Sequence, residues 1–319
     1  MEKILVTGGA GFIGSHLVKA LIASFDNQVR ILIMENESTR LLEGLRVEFI
    51  TGNLNNIDLL KNALTGIDVV YHCAAYTRSK PLSKLLEVNA WGSQNLFQAA
   101  LEKGIKKIIY LSSVEVINGN KGAVLTEELP YAAENDYGTS KIEAERIALQ
   151  YRKKGLKIAI LRPCMVYGPG EPHFFNFVLR LLRWRLMFII GRGNGFFPLV
   201  YVDDLVDAMM LAEKKEIAFN SVYTIAGGEI PTVGEFFNLV ARMLGVRKPW
   251  YIPGYLVYLP ALLCEWITIL GIAHLPFTRA KLNSFERKRI YDISKARQEL
   301  GYCPQIGITE GIRRIVKHV

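Results

Sequence analysis

Two patterns of hydrophobic residues alternate along the first half of the chain. Short runs rich in β-branched residues are separated by longer segments in which apolar residues recur at helical spacing. The predicted strands are Ile4 to Thr7, Val29 to Met34, Val47 to Thr51, Val69 to His72, Ile108 to Leu111 and Ile158 to Leu161. The predicted helices are Phe12 to Ser24, Ile57 to Leu64, Ala90 to Lys103 and Tyr137 to Lys153. Alternation of this kind is typical of stacked βαβ units, so we expect an α/β fold built on a doubly wound parallel sheet.

The pattern changes after Pro163, where Pro- and Gly-rich connections replace the regular alternation. We expect a first domain over residues 1–165, to which a segment at about 195–228 returns. Residues 166–319 are expected to form mainly a smaller C-terminal α/β lobe.

One apolar stretch of that lobe, Leu256 to Ile272, is interrupted by Pro260 and Glu265. It is shorter than the roughly 20 residues that a membrane-spanning helix needs. Three roles stay open for residues 251–275: a lid, an interfacial helix that contacts a membrane peripherally, or a core helix.

Composition and charge narrow the class of protein. Half of the 319 residues are hydrophobic and 22% are charged, which excludes a disordered chain. The net charge of +9 comes without a dense basic block and suits an anionic membrane surface, a phosphorylated ligand or plain solubility. We predict no nucleic-acid partner.

The cysteines and the N-terminus indicate the cellular compartment in which the protein is expected. Four cysteines lie far apart without a C-x-x-C pair, so we predict no metal site and expect thiols in a reducing compartment. The N-terminus runs directly into the first predicted strand and leaves no room for an export signal. We therefore expect a cytoplasmic protein, with association to a membrane left open.

A glycine-rich turn follows the opening strand at once. Gly8, Gly11 and Gly14 follow a G-x-x-G-x-x-G spacing and lead into the first predicted helix. Glycines at such a turn let the backbone approach a pyrophosphate, whose charge faces the free N–H groups and the positive dipole end of the helix. The segment therefore predicts a dinucleotide-binding turn.

The residue that reads the adenosine ribose is expected near the end of the second strand. Ile33 and Met34 occupy that strand end, and Glu35 follows. A carboxylate there accepts hydrogen bonds from the ribose hydroxyls and repels a 2′-phosphate, which favours NAD. A solvated turn carboxylate is the alternative for Glu35, and Arg40 nearby leaves NADP open.

A tyrosine and a lysine stand one helical turn apart at the start of the last predicted helix. Tyr137 and Lys141 are four residues apart and so share a face. An unperturbed tyrosine has a pKa near 10, and we expect the Lys141 ammonium to lower it. Ser112 and Ser113 follow a central strand, at the edge where open α/β sheets bind ligands. These hydroxyls are candidates to hold the oxygen of a substrate.

In these motifs the chain resembles the extended short-chain dehydrogenases/reductases of the NAD-dependent epimerase/dehydratase family, over essentially its full length. The matching stretches are Thr7 to Gly14, Gly52 to Leu54, His72 to Ala75, Asn89 with Gly92 and Asn95, Ser112 and Ser113, Tyr137 to Lys141, Leu161 to Pro163, Val200 to Asp204, and Tyr291-Asp292 with Lys295-Ala296. The resemblance implies a Rossmann-type sheet and NAD as the cofactor, with NADP not excluded. It also implies, by analogy, a homodimer formed through a four-helix contact.

The resemblance assigns roles within the site. Tyr137 is expected to be the acid/base, and Lys141 to lower its pKa and to hold the nicotinamide ribose. Ser113 is expected to hydrogen-bond the reacting oxygen, with Ser112 as the alternative. Asn53 replaces the aspartate that the family usually places at the adenine. The expected cofactor-binding residues are Gly8, Gly11, Phe12, Ile13, Gly14, Glu35, Asn53, Leu54, Ala74, Ala75, Tyr137, Lys141 and Pro163.

By the resemblance, the lobe over residues 166–319 is expected to bind the substrate, and two branches of the family differ in what that substrate is. Nucleotide-sugar epimerases usually carry an arginine shortly before the Tyr-Val-Asp-Asp stretch, whereas this chain has Phe196 and Phe197 there. The chain resembles the 3β-hydroxysteroid and sterol dehydrogenases in Leu199 to Leu205 and in the apolar stretch Leu256 to Ile272.

The favoured branch implies an NAD(P)-dependent oxidoreductase that moves a hydride between nicotinamide and a secondary alcohol or ketone. Its substrate is expected to be bulky and apolar, either sterol-like or a long-chain β-hydroxy compound. A UDP-sugar 4-epimerase is the alternative, and a non-catalytic dinucleotide-binding protein is a further one. Arg180, Arg183, Arg185 and Arg192 interleave with Leu and Trp, and they suit lipid headgroups, nucleotide phosphates or solvent.

Overall fold

The computed structural model describes residues 2–24, 27–77, 81–172, 174–257, 262 and 286–317. Its strands are β1 Lys3–Thr7, β2 Gln28–Ile33, β3 Glu48–Thr51, β4 Val69–His72, β5 Lys107–Leu111, β6 Val124–Leu125, β7 Ile158–Pro163, β8 Met165–Tyr167, β9 Phe188–Ile190, β10 Leu199–Tyr201, β11 Val222–Ile225, β12 Trp250–Ile252 and β13 Ile290–Tyr291. Its α-helices are α1 Phe12–Ser24, α2 Ile57–Ala63, α3 Leu82–Leu85, α4 Gly92–Glu102, α5 Asp136–Lys153, α6 Phe174–Arg183, α7 Val202–Lys214, α8 Val233–Met243 and α9 Ile308–Lys317. Shorter 3₁₀ or π-helical turns occupy Arg40–Leu42, Leu86–Trp91, Val114–Val116, Glu216–Asn220 and Ala296–Leu300.

Seven parallel strands form the central sheet in the order β3-β2-β1-β4-β5-β7-β11. The chain moves outward from β1 to β3 and then places β4 on the other side of β1, so the strand order reverses between β1 and β4. Open α/β sheets bind ligands at the carboxyl ends of the strands beside such a reversal. The predicted Rossmann-type, doubly wound α/β fold is confirmed.

The six predicted strands are all present, with ends that differ from the predicted ones by two residues at most. The periodicity does not predict the seventh strand, β11, which pairs with β7 at the edge of the sheet. This strand is four residues long, and so short an apolar run cannot be told from other buried segments by its pattern.

Alternate residues of β1 pack on opposite faces of the sheet. Ile4 and Val6 belong to the core that α1 and α7 cover, whereas Leu5 belongs to the core that α2, α4 and α5 cover. Burial on both faces is characteristic of parallel sheets that carry helices on either side. It also fixes the register of the strand that leads into the glycine turn, because a one-residue slip would exchange the two faces.

A separate hydrophobic cluster lies mainly among residues after Pro163, and the predicted division into two domains stays a prediction. Helices α6, α8 and α9 bury Phe175, Leu179, Phe236, Val240 and Ile312 in one cluster. Two short parallel pairs, β8 with β10 and β9 with β12, complete the lobe.

The apolar range 251–275 is described only at 251–257 and 262, and the rest of it lies outside the described residues. Its three alternative roles stay predictions. No helix in the part of the chain that the structure describes is both long and apolar enough to cross a membrane. Within those same residues, no cluster of three or more His, Cys, Asp or Glu side chains is arranged to hold a metal ion.

Candidate active site

A cavity of about 700 Å³ opens at the carboxyl ends of β1, β4, β5 and β7. Val166, Glu171 and Pro172, which follow β7 in the chain, supply part of its wall. The predicted site residues that line it are Gly8, Gly11, Phe12, Ile13, Gly14, Asn53, Leu54, Ala74, Ala75, Ser112, Ser113, Tyr137 and Pro163. Two predicted residues, Lys141 and Glu35, are not part of the lining.

The glycine turn leaves no room for side chains. Gly8 has a left-handed backbone with a φ of 68°, and a Cβ there would lie 2.8 Å from the Cα of Ala74. A Cβ on Gly14 would lie 2.1 Å from the carbonyl oxygen of Gly8. Gly11 closes the turn by donating its N–H to that same oxygen at 3.1 Å.

The turn therefore suits a pyrophosphate in both shape and charge. Helix α1 begins at Phe12 directly after it, and the first N–H groups of a helix have no partners within the helix. Those donors, the positive end of the helix dipole and a wall without side chains are what a dinucleotide's phosphates require. The residues present fit the predicted cofactor.

A buried histidine holds the loop after β4 against the end of β1. The Oγ1 of Thr7 lies 2.7 Å from His72 Nδ1, and His72 Nε2 lies 2.8 Å from the Oγ of Ser93. Ala74 donates its N–H to Thr7 Oγ1 at 3.3 Å. Burial, with a smaller contribution from the charge of Lys141, lowers the pKa of His72 to about 3. A neutral ring thus bridges two hydroxyls and positions the wall that carries Ala74.

The turn after β2 brings a different carboxylate to the cavity from the predicted one. Glu37 and Met34 line the cavity, whereas Glu35 is exposed and does not. Asn36 has a left-handed φ of 62°, and the Met34 N–H donates to Glu37 Oε2 at 2.8 Å. The ribose contact of Glu35 stays a prediction. Sequence reasoning missed Glu37 because its signal is a turn conformation and not a spacing.

Tyr137 lies in the first turn of α5. The side chain of Asn135 caps this helix by accepting the Gly138 N–H at 2.7 Å. Burial raises the pKa of the Tyr137 phenol, the nearby Glu115 carboxylate raises it further, and a hydrogen bond with Ser113 lowers it. Taken together, these groups favour the neutral phenol.

The two serines after β5 have different partners. Ser112 is buried, and its hydroxyl donates to Glu145 Oε1 at 2.5 Å. The hydroxyl of Ser113 accepts the Glu115 N–H at 3.2 Å and is near enough to Tyr137 to lower the pKa of its phenol. Ser113 is therefore the serine whose hydroxyl lies beside the phenol.

Lys141 is 1% exposed. Its Nζ donates to the carbonyl oxygen of Leu111 at 2.8 Å and lies 4.5 Å from the ring centre of Tyr110. Burial lowers the pKa of Lys141 to about 7, against the opposing attraction of Glu145. The predicted effect of Lys141 on the pKa of Tyr137 stays a prediction.

A buried ion pair supports the site from behind the serines. Arg162 donates from Nε and Nη2 to the two carboxylate oxygens of Glu145, at 2.9 and 2.6 Å. Tyr131 donates to Glu145 Oε2 at 2.9 Å, so with Ser112 the carboxylate receives four hydrogen bonds. Sequence reasoning missed Glu145, although it lies four residues after Lys141 and so shares its helical face.

Asn89 connects the loop after β4 to α5. Its side chain accepts the Tyr76 N–H at 2.7 Å, donates to the Tyr76 carbonyl at 3.0 Å, and donates to Ser140 Oγ at 3.0 Å. A loop that lines the cavity is thus tied to the helix that carries Tyr137.

The fold and the site together define a class of protein. A glycine turn between β1 and α1, at the switch point of a doubly wound sheet, is the mark of a dinucleotide-dependent α/β enzyme. The chain belongs to the NAD dependent epimerase/dehydratase family, whose model matches residues 4–226.

Three similar proteins represent the chemistry found in this family. The 3beta-hydroxysteroid-dehydrogenase/decarboxylase isoform 1 of Arabidopsis thaliana is 30% identical, over 98% of this chain and 78% of that protein. The UDP-glucose 4-epimerase of Vibrio cholerae is 31% identical, over 79% of this chain and 78% of that protein. The crystal structure of UDP-glucuronic acid 4-epimerase from Bacillus cereus in complex with NAD is 25% identical, with a TM-score of 0.81, over 99% of this chain and 98% of that one. The predicted extended short-chain dehydrogenase/reductase, an NAD-dependent enzyme, is confirmed.

Proposed function

We propose that the protein transfers a hydride between NAD and a secondary alcohol or ketone of a bulky apolar substrate, with Tyr137 as the proton-transfer group. One observation carries the proposal: the glycine turn, the Tyr137 phenol and the Ser113 hydroxyl line a single cavity. NAD, when bound, supplies the hydride acceptor. The residues proposed to hold it are Gly8, Gly11, Phe12, Ile13, Gly14, Asn53, Leu54, Ala74, Ala75, Pro163 and, at the ribose, Glu37.

The chain's own residues handle the proton of the substrate hydroxyl. Ser113 donates a hydrogen bond to the substrate's oxygen, and the Tyr137 oxygen accepts the proton during oxidation. Because burial and Glu115 raise the pKa of Tyr137, its phenolate needs cationic support, and Lys141 is the buried ammonium on the same helix. During ketone reduction the neutral phenol returns the same proton.

An apolar substrate suits the sequence position where nucleotide-sugar epimerases usually carry an arginine. Phe197 lies there, with its ring centre 5.0 Å from that of Phe236. Two arginines of the second lobe, Arg287 and Arg289, both pair with Glu134. A diphosphate would find an aromatic residue in place of that arginine, and Arg287 and Arg289 already have a carboxylate partner. The similarity to the plant 3beta-hydroxysteroid-dehydrogenase/decarboxylase supports the same branch.

UDP-sugar 4-epimerisation is the second candidate, supported by the similarity to the Vibrio cholerae and Bacillus cereus epimerases. Both reactions begin with loss of the hydroxyl proton to Tyr137. They differ in outcome, because a dehydrogenase accumulates NADH and a ketone, whereas an epimerase releases an isomer of its substrate with no net change in NAD.

The two candidates separate in one set of incubations. Purified protein is mixed with NAD and a 3β-hydroxysterol, a long-chain β-hydroxy compound or UDP-glucose, and NADH fluorescence and the products are followed. We expect NADH and a ketone from an apolar alcohol, and thermal stabilisation by that alcohol but not by UDP. Stabilisation by UDP, with UDP-galactose formed and no NADH, would identify the epimerase. Tight NAD binding without turnover of any compound would favour the non-catalytic protein.

The assembly and the location of the protein also stay proposals. Helices α4 and α5 pack side by side on one face of the sheet, as a homodimer built on a four-helix contact requires. Light scattering during gel filtration tests that dimer. A cytoplasmic location and a peripheral membrane contact through residues 251–275 stay predictions.

A further inference from the structure

Large apolar side chains are exposed on two stretches of the chain, residues 174–192 and 245–257. Trp184 is 63% exposed, Trp250 69% and Tyr255 71%. We define the aromatic–basic face by its exposed apolar residues, which are Phe177, Trp184, Leu186, Phe188, Trp250, Tyr255 and Leu256, and by the cations on the same stretches. A patch of exposed apolar side chains usually marks an interaction surface.

A backbone pairing joins the two stretches that carry this face, and a cation–ring contact lies within the first of them. Phe188 and Trp250 are cross-strand partners in the β9–β12 pair, and the Trp250 N–H donates to the Met187 carbonyl at 3.1 Å. The guanidinium carbon of Arg180 lies 5.7 Å from the ring centre of Trp184. The opposite side of α6 is buried in the core of the lobe through Phe175, Val178, Leu179 and Leu182. The exposed side chains are therefore not those that hold α6 in the fold.

The stretches that form the face carry positive charge only. Residues 174–192 contain four arginines and no Asp or Glu, and residues 245–257 contain Arg247 and Lys248 and no Asp or Glu. These six cations amount to most of the chain's net charge of +9. At the border of the face, the Glu286 carboxylate lies beside Gly191.

We propose that the aromatic–basic face docks on the surface of a lipid bilayer that contains anionic phospholipids. Indole and phenol rings are suited to the headgroup level, where one end of the ring is apolar and the other is wet. Arginine and lysine lay their aliphatic stems along apolar surface and reach the phosphates with their charged ends. A bilayer of this kind is thus complementary to both the rings and the cations.

A second copy of the chain is a poorer occupant of the same face. A two-fold contact would set the patch against itself, so the same arginines would meet each other without a carboxylate from either stretch. The bilayer proposal rests on this face alone and does not depend on the proposed hydride transfer.

Flotation of the full-length protein with vesicles tests the proposal. One set of vesicles is pure phosphatidylcholine, and the other is an equal mixture of phosphatidylcholine and phosphatidylglycerol. We expect the protein to float with the mixed vesicles and not with the neutral ones, and to be released as salt is raised, because salt screens exposed charges. The paired variants Trp184→Ser with Trp250→Ser, and Arg180→Glu with Arg183→Glu, are each expected to lower the affinity by about tenfold or more.

Matched controls keep the result interpretable. Trp91 is an exposed tryptophan elsewhere in the chain, and Lys19 and Lys121 are exposed lysines in the first domain. Trp91→Ser, and Lys19→Glu with Lys121→Glu, are expected to float like the native protein. Thermal melting and NAD titration confirm that each variant is folded.

Several results would overturn the proposal. In the first, the native protein floats with neither set of vesicles or equally with both. In the second, the variants of the aromatic–basic face float like the native protein. A fall in oligomeric mass caused by the face variants, without native flotation, would assign the face to a second copy instead.

Discussion

The Nζ of Lys141 donates a hydrogen bond to the carbonyl oxygen of Leu111 at a distance of 2.8 Å. Leu111 is the last residue of β5, and the serines that enter the cavity follow it directly. The contact therefore ties helix α5, which carries Tyr137, to the strand that delivers Ser113. We interpret Lys141 first as the group that sets the spacing between phenol and hydroxyl.

Burial of this ammonium predicts a pH-dependent stability. The pKa of Lys141 is lowered from its usual value of 10.5 to about 7, so the native protein holds a costly buried charge below that pH. As the pH rises from about 7 towards 10.5, the native state releases the proton before the unfolded state does, and stability rises. Lys141→Met removes the free-energy cost of burying this charge. The melting temperature of Lys141→Met minus that of the native protein should therefore be larger at pH 6 than at pH 9.

Melting curves without added NAD at both pH values check this prediction. Lys19→Met, at an exposed position of α1, serves as the control. Its melting temperature should differ from that of the native protein by the same amount at both pH values. A Lys141→Met difference that does not change with pH would contradict it.

Glu37 is predicted to set the preference for NAD over NADP. Its carboxylate is at the cavity and would repel a 2′-phosphate, whereas the exposed Glu35 does not line the cavity. Glu37→Gln keeps a hydrogen-bond acceptor but removes the charge, and should reduce the ratio of NADP to NAD dissociation constants by about tenfold. Glu35→Gln should leave the ratio unchanged. If Glu35→Gln alone changes it, the ribose contact belongs to Glu35.

The glycine turn predicts unequal effects of adding a methyl group. A Cβ on Gly14 would lie 2.1 Å from the Gly8 carbonyl oxygen, whereas a Cβ on Gly11 would lie 3.2 Å from the same atom. Gly14→Ala should lower the free energy of unfolding by about 1–3 kcal/mol or more and weaken NAD binding. Gly11→Ala should lower the free energy of unfolding by less than Gly14→Ala does. Urea unfolding and NAD titration of both variants measure the difference, and equal losses would contradict the close approach of Gly14 to Gly8.

The buried pair of Arg162 and Glu145 predicts a large stability effect. Glu145→Gln would leave the Arg162 guanidinium without its counter-charge, and breaking a buried pair costs about 3–5 kcal/mol. The surface pair of Lys106 and Asp68 provides a comparison, and Lys106→Ala should change unfolding little. Urea unfolding tests both variants. A Glu145→Gln variant as stable as the native protein would show that the pair does not support the site.

Local features of the sequence predict the cofactor end of the site well. The residues from Gly8 to Gly14 form a continuous stretch that runs from the end of β1 into the first turn of α1, so its shape depends on neighbouring residues alone. The spacing of Tyr137 and Lys141 likewise predicts one helical face.

Features that depend on packing across the sheet could not be predicted in this way. Glu145 and Arg162 lie 17 residues apart and meet only because α5 covers β7. The contact of Lys141 with Leu111 requires knowing how deeply the helix is buried. Glu37, and not Glu35, lines the cavity beside the left-handed turn at Asn36, and an amino-acid pattern does not reveal such a turn.

Substrate-dependent NADH formation by Tyr137→Phe tests the role of the phenol most directly. The substitution removes the hydroxyl and keeps the ring, and NAD affinity is measured on the same sample by titration. We predict that turnover falls by at least about a hundredfold while NAD affinity stays within about twofold of the native value. Turnover close to the native rate would contradict the assignment of Tyr137 as the proton-transfer group.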